Sequence, residues 1–250
     1  MTFHLVSIHE KKSERLPFVL IQMEALERFV GEKIKTQRFL LSELSENKIE
    51  QAPADEVFLF GVGTLDEEDS KTVSQYLSCL SARTNLIAVE FPQKGEFTGA
   101  EKALIRNSVN NGLEITAVSE KAAQAIYQIE PSAQVKVLGF LESLLEMRPI
   151  SSSQSLVVVS GEIPDIKLPA PSIRVHFSEP KQALNTKIGL SDLYVSSFPW
   201  IGLKALATAN CVVTDREEVA RVAFSLGRTP ILPRNIEAIE SEEDFQRFVK

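Results

Sequence analysis

Cysteine, histidine and tryptophan are scarce in this 250-residue chain, at two, three and one residues. Cys79 and Cys211 fall on a predicted helix and a predicted strand among apolar neighbours. No paired-cysteine metal spacing exists, so both are expected to be buried free thiols of a cytosolic protein. His4, His9 and His176 are too few and too separated for a recognisable metal cluster, and a structural role is expected for each. No apolar run reaches the ~18 residues needed to cross a bilayer. The start, Met1 to Val6, has neither a charged lead-in nor a small-residue cleavage site, so a cytoplasmic protein without a transmembrane segment is expected. Basic residues are scattered and the formal net charge is -7. Phosphate backbones need clustered Lys and Arg, so a general nucleic-acid binder is excluded.

What the chain does have is 44% hydrophobic residues, arranged so that strand-like and helix-like segments alternate. That alternation is the pattern of a parallel α/β protein. Strands are predicted over Phe3–Ile8, Arg38–Leu44, Glu56–Phe60, Asn85–Phe91, Glu114–Val118 and Gln134–Leu138. Helices are predicted from Pro17 to Val30, Lys71 to Ala82, Gly99 to Asn111 and Ser119 to Gln128. The Pro/Ser-rich stretch Met147–Gln154 has no periodicity and reads as a boundary between domains 1–148 and 155–250. Beyond it, strands are predicted at Leu156–Ser160, Ser172–Phe177 and Leu193–Val195, and helices at Ser197–Ala207 and Glu242–Val249. The expected architecture is two Rossmann-like, doubly wound sheets facing a cleft.

The most informative stretch runs from Ala209 to Pro233. It reads as a buried strand, a polar turn, an amphipathic helix stopped by Gly227 and a second strand, which is a βαβ unit. Within the turn, Thr214 or Asp215 can cap the helix while Glu217 and Glu218 complement its positive end. The same N–H groups, with Arg216, can instead receive a phosphate or carboxylate. Phe60-Gly61-Val62-Gly63-Thr64 resembles a strand-to-loop phosphate cradle, and turn glycines are the plain alternative. It lacks the third glycine of a dinucleotide fingerprint and the lysine of a P-loop, so no nicotinamide or Walker-type cofactor is expected. Asp66 to Asp69 reads as a solvated helix start rather than a metal site. Ser119-Glu120 and Ser160-Gly161 are further strand ends expected at the cleft.

Taken in order, three of these elements resemble the polysaccharide pyruvyl transferase family, whose fold is similar to that of two-domain GT-B glycosyltransferases. Ala54 to Gly63 is similar to the family's aspartate, apolar strand and glycine-rich loop. Ala103–Arg106 through Ile115–Ala123 resembles its helix, strand and Arg-acid-x-x-Ser helix start. Ala209 to Pro230 resembles its apolar strand, Ser/Thr-x-Arg-x-His turn, helix, Leu-Gly and Pro. The departures are specific. The family's N-terminal Gly-Asn-x-Gly-Asp loop has no counterpart after Phe3–His9. Ser119 and Ala123 replace an arginine and a serine, and Glu218 stands where the family has a histidine while Arg216 is kept.

The resemblance implies a cytoplasmic transferase of bacterial surface-polysaccharide biosynthesis that takes phosphoenolpyruvate as donor and a saccharide as acceptor. It assigns Arg216 to the donor anion and Glu218 to acid/base work, with Gly61, Gly63, Thr64, Ser119, Glu120, Ser160, Gly161, Thr214 and Asp215 in the binding cleft. Two other readings stay open. One is a GT-B-type glycosyltransferase using a nucleotide sugar; the other is a catalytically inactive relative acting as a binding or assembly subunit. The sequence names no oligomeric state.

Overall fold

The computed structural model describes residues 1–11, 13–44, 54–80, 83–92, 94–145, 157–160, 172–177, 192–194, 199–228 and 230–231. The chain divides into two compact units, Met1–Leu144 and Leu145–Lys250. The stretch 147–154, Gly161 and the helix expected over 242–249 lie outside the described residues.

Unit 1 is a six-stranded parallel sheet. Its strands are β1 (Thr2–Ser7), β2 (Lys35–Leu40), β3 (Glu56–Phe60), β4 (Thr84–Val89), β5 (Ile115–Ala117) and β6 (Val135–Val137), in the spatial order β2-β1-β3-β4-β5-β6. The chain moves outward from β1 to β2 and then returns to the other side of β1 to lay down β3. Strand order therefore reverses between β1 and β3, with Val6 opposite Leu59 and Ser7 opposite Phe60 at their carboxyl ends.

Helix α1 (Leu16–Val30) carries Pro17 in its first turn, where a missing N–H costs nothing, and ends at Gly31 with φ of 70°. It packs on β1 and buries Phe18, Ile21, Met23 and Leu26. Helix α2 (Glu67–Tyr76) begins four residues before the expected Lys71, because Asp66 caps it by accepting the Asp69 N–H at 2.8 Å. Helix α3 (Gly99–Asn110) starts at a capping box, in which Thr98 accepts from the Glu101 N–H and Glu101 accepts from the Thr98 N–H. Helix α4 (Glu120–Ile129) is capped by Ser119. Val73, Leu104, Ile105, Ala122 and Ile126 from these helices join Val6, Leu59, Leu86 and Ile115 of the sheet in one buried cluster.

The segment expected as a strand over Arg38–Leu44 divides. β2 occupies Lys35–Leu40, and Leu41–Glu43 forms one tight helical turn in which the Glu43 carboxylate accepts the Leu40 N–H.

The described residues of unit 2 form a five-stranded parallel sheet of β7 (Val157–Ser160), β8 (Ser172–His176), β9 (Asp192–Tyr194), β10 (Cys211–Thr214) and β11 (Pro230–Ile231), ordered β11-β10-β7-β8-β9. Here the reversal lies between β7 and β10, whose ends meet with Thr214 opposite Ser160. Helix α5 is Pro199–Thr208 and helix α6 is Glu217–Ser225. Val219, Val222 and Ala223 of α6 are buried, which is the apolar face expected from their spacing. Beyond α6, Gly227 turns with φ of 72° while the Arg228 N–H returns to the Ala223 carbonyl, closing the helix end. Among the described residues, no helix is long and apolar enough to cross a membrane.

Candidate functional site

In an open parallel α/β sheet, loops diverge at the carboxyl ends of the strands where strand order reverses, and that gap is where ligands bind. Among the described strands each sheet has one such place. Gly61, Gly63 and Thr64 follow β3 at the first, Ser160, Thr214, Asp215, Arg216 and Glu218 lie at the second, and Ser119 and Glu120 follow β5 away from both.

In unit 1 the reversal brings the segment after β1 against the loop after β3. His9, two residues past β1, is fully buried. Its Nδ1 lies 2.7 Å from Asp69 Oδ2 in the first turn of α2 and 3.2 Å from Ser13 Oγ. Its Nε2 lies 2.7 Å from Thr64 Oγ1. The Thr64 hydroxyl is also 2.7 Å from the Gly61 carbonyl oxygen. A threonine hydroxyl has one proton, and a carbonyl can only accept. When the proton points to Gly61, His9 Nε2 must itself carry hydrogen. When Nε2 is bare, the proton turns toward the ring. The Asp69 carboxylate keeps Nδ1 as a donor in either arrangement.

The loop geometry depends on its glycines. Gly61 has φ of 101°, and a Cβ there would meet Ile8 Cγ1 at 2.8 Å and His9 Cδ2 at 2.9 Å. Gly63 has φ of 98°, and its Cβ would lie 2.1 Å from the Glu90 carbonyl oxygen, inside any contact distance. Both positions therefore need glycine for backbone shape and for close approach. The N–H of Gly63, which the cradle reading offers to an anion, donates to Glu101 Oε1 at 2.6 Å, and that of Leu65 does so at 3.4 Å. Glu101 is 1% exposed. An internal carboxylate thus occupies two of the loop donors that the cradle reading offers to a phosphate.

Beside this loop is a cavity of about 360 Å³, lined by Ser13, Glu14, Arg15, Gly63 to Asp66, Pro92, Lys94, Glu96, Thr98 and Glu101. Thr64 is on its wall and Gly61 is not. Ser119 and Glu120 sit at the end of β5, on the same edge of the sheet but outside the cavity lining. The Ser119 hydroxyl is engaged, accepting the Ala122 N–H at 3.2 Å.

In unit 2 the reversal joins the ends of β7 and β10. Ser160 is 1% exposed, and its Oγ has no hydrogen-bond partner among the described residues. Thr214 is fully buried, and its hydroxyl accepts the Arg216 N–H at 3.0 Å. This corrects the capping expectation. Thr214 closes the turn ahead of the helix, Asp215 is exposed, and Arg216 is the N-cap of α6 with no side-chain cap. The two acids after it part company: Glu217 is exposed and Glu218 is 6% exposed.

Cys211 is 1% exposed on β10, and burial pushes its thiol up to about 12. The side chain of Cys79 is outside the described residues. Among the described residues, no group of three His, Cys, Asp or Glu side chains is placed to hold a metal ion.

The structure thus adds His9, Ser13, Asp69 and Glu101 to the expected residues. The scarcity of histidine pointed away from His9, and the acidic run after Thr64 read as solvated, whereas Asp69 is buried and bonded to that histidine. The available signal was position: a histidine closing the first strand of a doubly wound sheet stands beside the reversal point. No protein-family model matches the chain, and no curated protein matches its sequence.

Proposed function

We propose that this chain is a polysaccharide pyruvyl transferase-like protein of bacterial surface-polysaccharide biosynthesis, moving a pyruvyl group from phosphoenolpyruvate to a saccharide. On this reading the two units correspond to the two halves of a GT-B-like fold. The observation that carries it is Arg216 at the N-cap of α6, directly beyond the end of β10 at the strand-order reversal of unit 2. A guanidinium at an N-terminus without a side-chain cap supplies charge and backbone donors to a carboxylate or phosphate. Glu218, in the first turn of α6 and buried, takes the acid/base position that the resemblance gives to a histidine.

The overall chemistry adds one saccharide hydroxyl to the enolpyruvyl C2 while C3 takes up a proton. A second hydroxyl then displaces phosphate to close the ketal.

Thermal shifts of the wild type and Arg216→Ala with phosphoenolpyruvate and with UDP-, GDP- and CMP-sugars test the donor. Mass spectrometry of incubations with phosphoenolpyruvate and nitrophenyl glycosides tests transfer. Stabilisation by phosphoenolpyruvate that Arg216→Ala abolishes, with a pyruvate adduct, is the expected result. Stabilisation by a nucleotide sugar alone overturns it in favour of a glycosyltransferase. Silence in both assays overturns it in favour of a binding or assembly subunit.

A further inference from the structure

We infer that the cavity of unit 1 binds an uncharged, hydroxyl-rich ligand and that Thr64, His9 and Asp69 form a hydrogen-bond relay which accepts from one ligand hydroxyl and orients it. The inference rests on the transferase reading for the identity of that ligand, a saccharide, and on the geometry of unit 1 for everything else.

The three side chains are in series. Thr64 is on the cavity wall; His9 is behind it, fully enclosed; Asp69 is behind His9. Both links are 2.7 Å. A buried ring cannot meet a ligand directly, so any proton reaching His9 Nε2 from the cavity passes through the Thr64 hydroxyl. The Gly61 carbonyl gives the Thr64 proton a second place to point whenever Nε2 carries hydrogen, so the hydroxyl keeps its hydrogen bonds in either state of the ring. Asp69 holds Nδ1 as the donor, which leaves Nε2 as the accepting nitrogen.

The wall chemistry selects the ligand. Glu14, Asp66, Glu96 and Glu101 stand against Arg15 and Lys94 around the cavity, with Lys102 paired to Glu96. The Gly63 and Leu65 N–H groups are held by Glu101 and that of Thr64 by the Gly61 carbonyl. An anion would meet more acidic than basic side chains and find these three loop donors engaged, whereas a polyol finds donors and acceptors of both kinds. The volume of about 360 Å³ is at the small end of the range for small-molecule sites, roughly 300–1,000 Å³.

The ligand hydroxyl donates a hydrogen bond to Thr64 Oγ1, the Thr64 proton points to His9 Nε2, and His9 Nδ1 donates to Asp69. Thr64 is the group that touches the ligand, while His9 and Asp69 are positioning residues acting through it.

The test uses the full chain labelled with ¹⁵N in histidine, the ring signals assigned through backbone correlations, and a panel of methyl pyranosides followed by saturation transfer. A bound glycoside is expected to shift the His9 Nε2 resonance. Thr64→Ser should preserve that shift, while Thr64→Val should weaken glycoside binding and, at saturating glycoside, lose the shift. A merely structural threonine predicts no ligand-dependent shift and no difference between serine and valine. Failure of every glycoside to bind, a bound glycoside that leaves Nε2 unmoved, or an unchanged response in Thr64→Val overturns the inference. Donor binding is read separately on Arg216. Loss of the phosphoenolpyruvate effect with the His9 response intact removes the donor reading alone.

Discussion

His9 and Asp69, 60 positions apart in sequence, meet at 2.7 Å with the imidazole wholly enclosed. The contact ties the end of β1 to the first turn of α2 across the point where strand order reverses. Removing Asp69 leaves the buried His9 Nδ1 with the Ser13 hydroxyl at 3.2 Å in place of a carboxylate at 2.7 Å, so Asp69→Ala is expected to cost about 2 kcal/mol. Urea denaturation of the variant checks this. A loss below the error of the extrapolation would mean that the pair contributes nothing to folding.

The two loop glycines should respond differently to alanine. At Gly63 the new methyl meets a backbone carbonyl at 2.1 Å and a positive φ, and neither can yield cheaply. Gly63→Ala is expected to destabilise by about 3 kcal/mol or more. At Gly61 the crowding is against the Ile8 and His9 side chains, so Gly61→Ala is expected to cost less and to displace the imidazole. Thermal melts rank the two, and the His9 ring resonances report the displacement.

Glu101 accepts three backbone N–H groups, those of Gly63, Leu65 and Thr98, through its two oxygens. An amide side chain has only one accepting oxygen. Glu101→Gln is therefore expected to cost about 2 kcal/mol by turning one of its ends into a donor facing donors. The same change supplies a probe of ligand charge. With the internal carboxylate gone, inorganic phosphate should bind the loop of unit 1 more tightly than in the wild type, as measured by titration calorimetry.

The strand contents, the helix faces and the βαβ unit around Arg216 follow from alternation and spacing, because burial of one face leaves a periodic trace. The pairing of β1 with β3 leaves none, since it joins segments separated by a helix and another strand. His9, Ser13 and Asp69 acquire their meaning only from that pairing. The cap of α6 differs from the compositional expectation for a local reason. Thr214 and Asp215 are both good caps by composition, but Thr214 is spent on closing the turn one residue before the helix. Glu101 is one step harder to find. As the third residue of a capping box it is expected to reach back to Thr98, and nothing in sequence shows that its other oxygen reaches Gly63.

Glu24 and Arg38 yield a prediction for acid stability. Burial raises the Glu24 carboxyl, but hydrogen bonds and charge from Arg38 and Arg28 outweigh it, so its folded value lies below the ordinary 4.5. In the window between those values the unfolded chain binds the extra proton, and stability falls as pH falls. This contribution is complete above 4.5 and is gone once the pH is below the lowered folded value. Both groups are partly exposed, so its size is small. Arg38→Gln should flatten the acid limb of a stability-against-pH curve and leave the neutral plateau nearly level with wild type.

Cys211 should resist alkylation in the folded protein. Burial pushes its thiol up to about 12, which leaves little thiolate at pH 8, and the sulfur is enclosed in β10. In a Cys79→Ser background, iodoacetamide is expected to label the chain only as fast as it unfolds. Labelling that outpaces unfolding would show an access path to β10.

The Glu101 carboxylate also alters how the loop after β3 behaves in time. Surface loops of an α/β protein commonly exchange their amide hydrogens with solvent quickly, because nothing but water holds them. Here the Gly63 amide is locked onto a side chain at the start of α3, so its release requires that helix start to open. The rim of the cavity would then keep deuterium out on the timescale of the core, and a ligand entering unit 1 would meet a preformed edge rather than one it must first arrange.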